Sequence, residues 1–161
     1  MKILNPSTGT VIKEVAEDSK NSIIEKYEMA KHAQVSWALK SLDERLACIQ
    51  KFSDALEKNK ESLAKDLTEE VGKPEQEERK EGKGEKKKRK GGMEMGKKSK
   101  KEKKTHNAHN TKATLSVDAL GVIANISACN YPVLVGCHIF IPALITGIAV
   151  LSKPSEFATM T

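Results

Sequence analysis

The chain of 161 residues contains few cysteines and few aromatic residues. Its three cysteines are an odd number, and their spacing matches neither a zinc site nor a disulfide framework. We therefore predict no metal site and expect a reduced chain in the cytoplasm. The first residues, MKILNPSTGT, lack the apolar core of a signal peptide, so nothing in them directs export.

A second scarcity is local. The segment from Glu75 to Lys112 has no aromatic residue and almost no apolar one, and it carries 15 basic and 7 acidic residues. Such a composition cannot bury enough surface to offset the entropy lost on ordering. Residues 75–112 are thus predicted to be a disordered lysine-rich segment. Without aromatic residues for base stacking, no specific nucleic-acid partner is expected, and a lysine-rich tether to nucleic acid is the third-ranked alternative.

The third absence is of charge, since no Asp, Glu, Lys or Arg occurs between Asp118 and Lys153. One interpretation is a membrane helix over Val133–Leu151, because about 20 apolar residues span a bilayer and a basic tract lies upstream. That interpretation describes a small membrane-anchored protein whose polybasic tract binds anionic lipid. It is the second-ranked function.

The rival interpretation is a buried β-α-β unit, with strands at 121–127 and 148–151 and a helix at 132–145. Asn130, Pro132 and other polar or helix-breaking residues interrupt a membrane span but suit a strand–turn–helix–turn–strand pattern. We therefore favour the β-α-β unit and expect no membrane partner.

The first 74 residues predict a hairpin and two amphipathic helices. Turn residues separate Ile3-Leu4 from an alternating strand at 11–15. A helix is expected over 19–39, with an apolar stripe formed by Ile23, Tyr27, Ala30, Ala33 and Trp37. A second helix is expected to begin at the capping box of Ser41 and Glu44 and to end at Gly72 and Pro74.

These pieces resemble a known family. The strings NPSTGTVIKEV, TEEVGKP, LGVIANISACNYP and IPALITGIAVLSKPSEFAT are similar, in this order, to the N-terminal part of an aldehyde dehydrogenase. The resemblance implies an α/β fold with an N-terminal hairpin and helical pair (1–74), followed after the lysine-rich segment by the first β-α-β unit of a Rossmann-like cofactor domain (113–161). It also implies oxidation of an aldehyde to a carboxylic acid with NAD(P)+.

The resemblance assigns a catalytic role to Asn130. In this family an asparagine after the first strand of the cofactor domain, followed by an aromatic residue and proline, directs its amide at the aldehyde oxygen. That oxygen becomes negative when a thiolate attacks the carbonyl, so a fixed N–H donor stabilises it. The alternative is that Asn130 only caps the helix that Pro132 begins.

The resemblance also implies a cofactor site. Lys153 and Glu156 match the residues that family members use on the adenosine ribose. The other expected cofactor-binding residues are Ser155, between them, and Ser127, Ala128 and Cys129 on the other predicted loop. Cys129 departs from the tryptophan usual at its position. A carboxylate accepts both ribose hydroxyls and repels a 2′-phosphate, so we expect NAD, with NADP as the alternative.

The resemblance covers only the front of the family pattern, so we expect a truncated chain without the nucleophilic cysteine and general-base glutamate, inactive alone. Cys48 and Cys137 lie in predicted helices, and Cys129 matches the family's tryptophan and not its nucleophile. The implied substrate is a small-molecule aldehyde. The family forms homo-oligomers, whereas nothing in these residues predicts the oligomeric state of this chain.

Overall fold

The computed structural model describes residues 1–72, 91, 94, 104–108, 111–115 and 118–160. Within them the helices and strands follow in this order: β1 (Lys2–Leu4), β2 (Val11–Glu14), α1 (Lys20–Leu39), α2 (Leu42–Lys58), α3 (Lys60–Val71), β3 (Lys104–Ala108), β4 (Thr111–Leu115), β5 (Val122–Ile126), α4 (Pro132–Ile145) and β6 (Ala149–Lys153). The expected mixed α/β fold is confirmed.

The predicted N-terminal hairpin is present. Strands β1 and β2 pair antiparallel, and the Asn5 side chain shapes the turn between them. Its Oδ1 accepts the backbone N–H groups of Ser7 at 2.9 Å and Thr8 at 3.2 Å. Asparagine favours turns because its side chain bonds to the backbone two residues on.

The capping box at the start of α2 is also confirmed. The Ser41 hydroxyl accepts the Glu44 N–H at 3.3 Å, and the Glu44 carboxylate accepts the Ser41 N–H at 2.7 Å. Hydrogen bonds from the hydroxyl and the backbone of Ser41 lower the pKa of the Glu44 carboxyl.

The prediction of one helix from Ser41 to Gly72 was wrong. The structure has two helices, because Asn59 adopts φ −100° and ψ 10° between them. Its side-chain Nδ2 donates to the Ala55 carbonyl at 2.8 Å, and this bond competes with continuation of the helix. Gly72 ends α3 as predicted, with φ 76°.

The β-α-β unit is formed as the sequence predicted. Strands β5 and β6 pair in parallel, from Val122 opposite Ala149 to Ile126 opposite Lys153, and α4 connects them. The helix has its predicted bounds, whereas β6 begins one residue later and extends two residues further than expected. Gly147 stops the helix with φ 88°, and a Cβ there would lie 3.3 Å from Ala38 Cα.

The prediction of disorder was wrong for the last part of the lysine-rich segment. Strands β3 and β4 form an antiparallel hairpin in which His106 lies opposite Ala113. Five-residue strands of this kind contribute backbone hydrogen bonds that charge composition does not reveal. The hairpin also crosses the expected boundary between residues 112 and 113. The prediction of disorder over 75–103 otherwise falls outside the described residues, apart from 91 and 94.

The hydrophobic core lies between α2 and α4. Apolar side chains recur every three or four residues on both helices, which brings them to one face of each. The buried cluster consists of Leu42, Leu46 and Ile49 from α2 and Cys137, Ile141 and Ile145 from α4. Phe52 and Phe140 extend it, with their ring centroids 5.4 Å apart in an edge-to-face arrangement. Both α1 and α4 contact the strands β5 and β6.

The apolar stripe predicted on α1 is not buried. Ile23 and Tyr27 are 46% and 40% exposed, and α1 has no buried residue. Among the described residues, the long-range hydrogen bonds of α1 come from its C-terminal half, through Gln34 to Gly147 and through Trp37 to Leu144 in α4. Periodicity therefore predicted the helix correctly but not the burial of its face.

No helix in the described part of the chain is long and apolar enough to cross a membrane. The segment that could have been a membrane helix contains the 14-residue α4, and Pro142 lies inside this helix.

Arg45 connects three parts of the fold. Its Nε donates to the Ile145 carbonyl at 3.0 Å, and its Nη1 donates to the carbonyls of Ala38 and Lys40 at 3.1 and 2.7 Å. The guanidinium thus bonds the C-terminal ends of both α1 and α4, where a positive charge also interacts favourably with the helix dipole.

Replacement Arg45→Met removes these three bonds while keeping much of the side-chain volume. We expect a loss of roughly 3 kcal/mol in the free energy of unfolding, because hydrogen bonds to charged groups contribute about 1.5–3 kcal/mol each and the site is half-buried. Urea unfolding measures the change. The matched control is Lys51→Met, which removes an exposed cation from the same helix and should change stability by less than about 0.5 kcal/mol. Equal losses in the two variants would contradict this role of Arg45.

Candidate functional site

The carboxyl ends of β5 and β6 lie side by side. Ile126 pairs with Lys153, and the next residue, Ser127, donates its N–H to the Lys153 carbonyl at 3.0 Å. The loop after β5 and the segment after β6 therefore leave the same edge of the sheet. Ligands of open α/β sheets bind outside this edge, so this junction is the candidate site.

The loop at 127–131 connects β5 to α4. Ser127 is half-buried, and its hydroxyl donates to the Pro132 carbonyl at 3.2 Å. Ala128 is exposed, Cys129 is half-buried, and Asn130 is exposed. The structure thus brings all four predicted residues to the edge of the sheet, with Asn130 accessible from solvent.

The segment 153–156 follows β6. Lys153 and Glu156 are exposed, and the Lys153 Nζ lies 3.3 Å from the Glu156 Oε2. The same Nζ donates to the Pro154 carbonyl at 3.0 Å. Ser155 differs from them because it is buried, and its Oγ accepts the Phe157 N–H at 3.2 Å. Ser155 therefore shapes the turn, and the accessible groups are a carboxylate and an ammonium.

The Glu156 carboxylate is stabilised in its charged form. A hydrogen bond from its own backbone N–H and a second from the Lys153 side chain lower the pKa of this carboxyl. Since the shift is downward, Glu156 stays ionised at neutral and mildly acidic pH. The site thus presents a fixed negative charge next to a positive one.

A cavity of about 240 Å³ lies beneath these loops. Side chains of α2, α3 and α4 line it together with Ser127, Ser152 and Pro154 from the strand ends, and none of its described lining residues is charged. Asn125, next to it on β5, is completely buried. Its Nδ2 lies 3.5 Å from the Gly136 carbonyl and from the Ser152 hydroxyl, and its Oδ1 has no hydrogen-bond partner among the described residues.

Comparison with known proteins identifies the family. The model of the aldehyde dehydrogenase family matches residues 1–161. The chain belongs to the aldehyde dehydrogenase family. The resemblance of its four sequence motifs to this family is thereby confirmed.

Two relatives show how much of a family member the chain represents. It is 32% identical over 154 residues to an N-succinylglutamate 5-semialdehyde dehydrogenase of Paraburkholderia xenovorans, which covers 96% of this chain and 31% of the relative. It is 26% identical over 161 residues to a 3,6-anhydro-alpha-L-galactose dehydrogenase of Streptomyces coelicolor, covering 100% of this chain and 32% of that one. The chain thus spans about a third of the length of these aldehyde dehydrogenases.

The fold agrees with solved structures. An aldehyde dehydrogenase from Brucella melitensis biovar abortus superposes with a TM-score of 0.90 at 28% identity, over 98% of this chain and 32% of that one. A NAD-dependent benzaldehyde dehydrogenase from Corynebacterium glutamicum superposes with a TM-score of 0.92 at 25% identity, over 99% and 35%. The described hairpins, helices and β-α-β unit therefore occur together in aldehyde dehydrogenases.

Sequence reasoning missed one residue next to the site of this aldehyde dehydrogenase chain. Glu70, on the last turn of α3, is 4% exposed, and its carboxylate accepts the backbone N–H groups of Thr159 and Met160. The position of Glu70 in the sequence could have indicated its burial, because it follows Leu63 and Leu67 at helical spacing on the apolar face of α3. A charged residue on such a face needs a bonding partner elsewhere.

The Ser127 hydroxyl should stabilise the loop that contains Asn130. Replacement Ser127→Ala removes the bond to Pro132 but leaves the backbone bond to Lys153, so β5 and β6 should remain paired. We expect a stability loss of about 1 kcal/mol, the usual contribution of a neutral hydrogen bond. We also expect faster amide hydrogen exchange confined to residues 128–131, measured by NMR.

The control for this experiment is Ser36→Ala, which removes a hydroxyl bond of 3.0 Å to the Ala33 carbonyl within α1. That variant should leave exchange at 128–131 unchanged. Unchanged exchange in Ser127→Ala as well would show that the hydroxyl does not order the loop.

Proposed function

We propose that this chain contributes two parts of an aldehyde dehydrogenase active site: the donor for the aldehyde oxygen and the residues for the adenosine ribose of the cofactor. The observation that supports the proposal is the bond between Ser127 N and the Lys153 carbonyl. It sets the loop with Asn130 and the segment with Glu156 next to each other at the carboxyl edge of the parallel strands. The reaction is oxidation of an aldehyde to a carboxylic acid.

Asn130 is proposed as the oxyanion donor. Attack of a thiolate on an aldehyde turns the carbonyl oxygen into an oxyanion, and an amide N–H set in advance stabilises that charge. Asn130 is exposed on the loop, and Pro132 begins α4 two residues later. The N–H groups in the first turn of a helix have no partner within the helix, so a proline there, which has no N–H, loses no hydrogen bond. Pro132 therefore begins α4 and gives the loop a defined end.

The residues at the strand ends fit a dinucleotide. Glu156 is ionised and exposed, so its carboxylate can accept ribose hydroxyls, and Lys153 supplies a cation beside it. A bound nicotinamide would accept the hydride that leaves the tetrahedral adduct. We propose that Ser127, Ala128 and Cys129 border the same site, whereas Ser155 acts by shaping the turn.

We propose NAD as the cofactor and NADP as the alternative. The Glu156 carboxylate repels a 2′-phosphate, and its ion pair with Lys153 at 3.3 Å offsets the attraction of that lysine for the phosphate. Similar proteins are described with either cofactor, for example the NAD-dependent benzaldehyde dehydrogenase and a glyceraldehyde-3-phosphate dehydrogenase from Bacillus halodurans complexed with NADP.

Three further assignments remain predictions: a small-molecule aldehyde as substrate, homo-oligomer formation as in the family, and a cytoplasmic location. The three cysteines are free thiols, which supports a reducing compartment. The proposal of a lysine-rich tether to nucleic acid rests on a segment, 75–112, most of whose residues lie outside the described part of the chain.

Binding of NAD+ to the 161-residue chain tests the ribose site. We expect NMR shift changes at Lys153 and Glu156 with an affinity too weak to saturate, and a roughly tenfold further weakening in Glu156→Gln, because one charge-assisted hydrogen bond is lost. NADP+ should bind less tightly than NAD+, and Glu156→Gln should reduce that difference. NAD+ binding should persist as the pH falls through the ordinary range of a glutamate, since the pKa of Glu156 is lowered.

The control variant is Glu25→Gln, which removes an exposed carboxylate from α1 and should change neither titration. Shift changes that spare residues 153–156, or equal binding by the chain and its Glu156→Gln variant, would contradict the ribose site.

Turnover tests the remainder of the proposal. None of the three cysteines is assigned as nucleophile: Cys137 is buried in the core, Cys48 is exposed on α2, and Cys129 matches a tryptophan of the family. We therefore expect no formation of reduced cofactor when the 161-residue chain is mixed with NAD+ and a panel of aldehydes. Turnover that disappears in Cys129→Ser would instead make Cys129 the nucleophile.

A further inference from the structure

Glu70 connects α3 to the segment that follows β6. Its carboxylate accepts the Thr159 N–H, and it accepts the Met160 N–H at 3.3 Å and 3.0 Å through its two oxygens. The residue is 4% exposed. Because a buried carboxylate is costly unless it is hydrogen-bonded, these bonds specify where residues 159 and 160 lie relative to α3.

The segment that Glu70 bonds is itself ordered by internal bonds. The Ser155 carbonyl accepts the Ala158 N–H at 3.2 Å and the Thr159 hydroxyl at 2.9 Å, and the Ser155 Oγ accepts the Phe157 N–H at 3.2 Å. Ala158 is completely buried. Residues 155–160 thus form one compact turn, which is attached to β6 at its start and to Glu70 at its end.

Lys153 is the last residue of β6, and Glu156 is the second residue of this turn. Their side chains are exposed, and neither has a hydrogen bond with Glu70. The orientation of Glu156 therefore depends on the backbone of the turn, and the far end of that backbone is bonded to α3. Without the Glu70 bonds, the remaining restraints among the described residues would be the pairing of β6, the bonds around Ser155 and the burial of Ala158.

We infer that Glu70 is a positioning residue for the Lys153–Glu156 pair: it fixes the turn at 155–160 from its far end, so that the pair is ordered before the cofactor binds. This inference rests on the proposed ribose site. Ordering a binding group in advance strengthens binding because less conformational freedom is lost on association. Glu70 acts without touching the ligand.

The test is Glu70→Gln, with Glu69→Gln as the matched control. Both substitutions exchange one carboxylate for an amide of the same size on α3, but only Glu70 accepts N–H groups from the turn. In Glu70→Gln one acceptor oxygen becomes an NH₂ group that faces backbone N–H donors. We expect amide hydrogen exchange at Thr159 and Met160 to accelerate roughly tenfold, and backbone mobility at 153–157 to rise, while exchange in α2 and β5 stays the same.

The functional measurement is NAD+ binding, monitored through the NMR shifts of Lys153 and Glu156. Glu70→Gln should bind roughly tenfold more weakly than the unsubstituted chain, and Glu69→Gln should bind equally well. If Glu70 only stabilised the fold, Glu70→Gln would accelerate the hydrogen exchange of core amides as well as weaken NAD+ binding. Weaker NAD+ binding with unchanged exchange of the core amides distinguishes the positioning role. Thr159→Ala provides a second variant if Glu70→Gln does not fold. It removes the hydroxyl bond to Ser155 with α3 unchanged, and it should loosen the same turn to a smaller extent.

The outcomes separate the inference from the proposed function. Unaltered exchange at 159 and 160 in Glu70→Gln, or a loosened turn with unaltered NAD+ affinity, would overturn the positioning role while the ribose site stands. No shift change at Lys153 and Glu156 in the unsubstituted chain would overturn the ribose site, and the inferred role with it. Faster exchange together with weaker NAD+ binding in Glu70→Gln alone supports the inference.

Discussion

The C-terminal end of α4 imposes the constraint on which the rest of the fold depends. A helix leaves its last carbonyl groups without partners inside the helix. Here three side chains donate to this region: Gln34 to the carbonyl of Gly147, Trp37 to that of Leu144 and Arg45 to that of Ile145. Because the donors come from α1 and α2, the bonds form only when both helices take one orientation relative to α4. The core between α2 and α4 is packed in that orientation.

The two ends of α4 have different roles as a result. The C-terminal end is bonded to α1 and α2, whereas the N-terminal end begins at Pro132 below an exposed loop. The loop with Asn130 is therefore attached to a helix whose other end does not move freely. The turn after β6 is restrained in a comparable way, since its far end is bonded to Glu70. Exposed groups of the candidate site thus rest on buried bonds.

Features that depend on neighbours in the sequence were predicted from it. The capping box of Ser41 and Glu44, the turn at Asn5 and the stop at Gly72 each follow from bonds or backbone angles within a few residues. The β-α-β unit was also predicted, because turn residues such as Pro132 and Gly147 in the uncharged stretch favour a strand–turn–helix–turn–strand pattern over a membrane helix. The break between α2 and α3 at Asn59 was not predicted. The sequence does not show whether an asparagine inside a helical pattern bonds to the backbone of its own helix or leaves the helix uninterrupted, because tertiary contacts decide between the two.

The sequence by itself determined the N-terminal hairpin, α1, the β-α-β unit and the motifs around Asn130 and Lys153, because these depend on local spacing and on residue types typical of one family. Tertiary structure alone decided which surfaces are covered: Ile23 and Tyr27 of the α1 stripe stay exposed, and the strands 104–108 and 111–115 pair with each other. It alone decided the contacts of Arg45 and Glu70, which join residues about 100 and 90 positions apart. The physical reason is that a buried charge requires partners, but its own sequence neighbourhood does not specify where in the chain those partners lie.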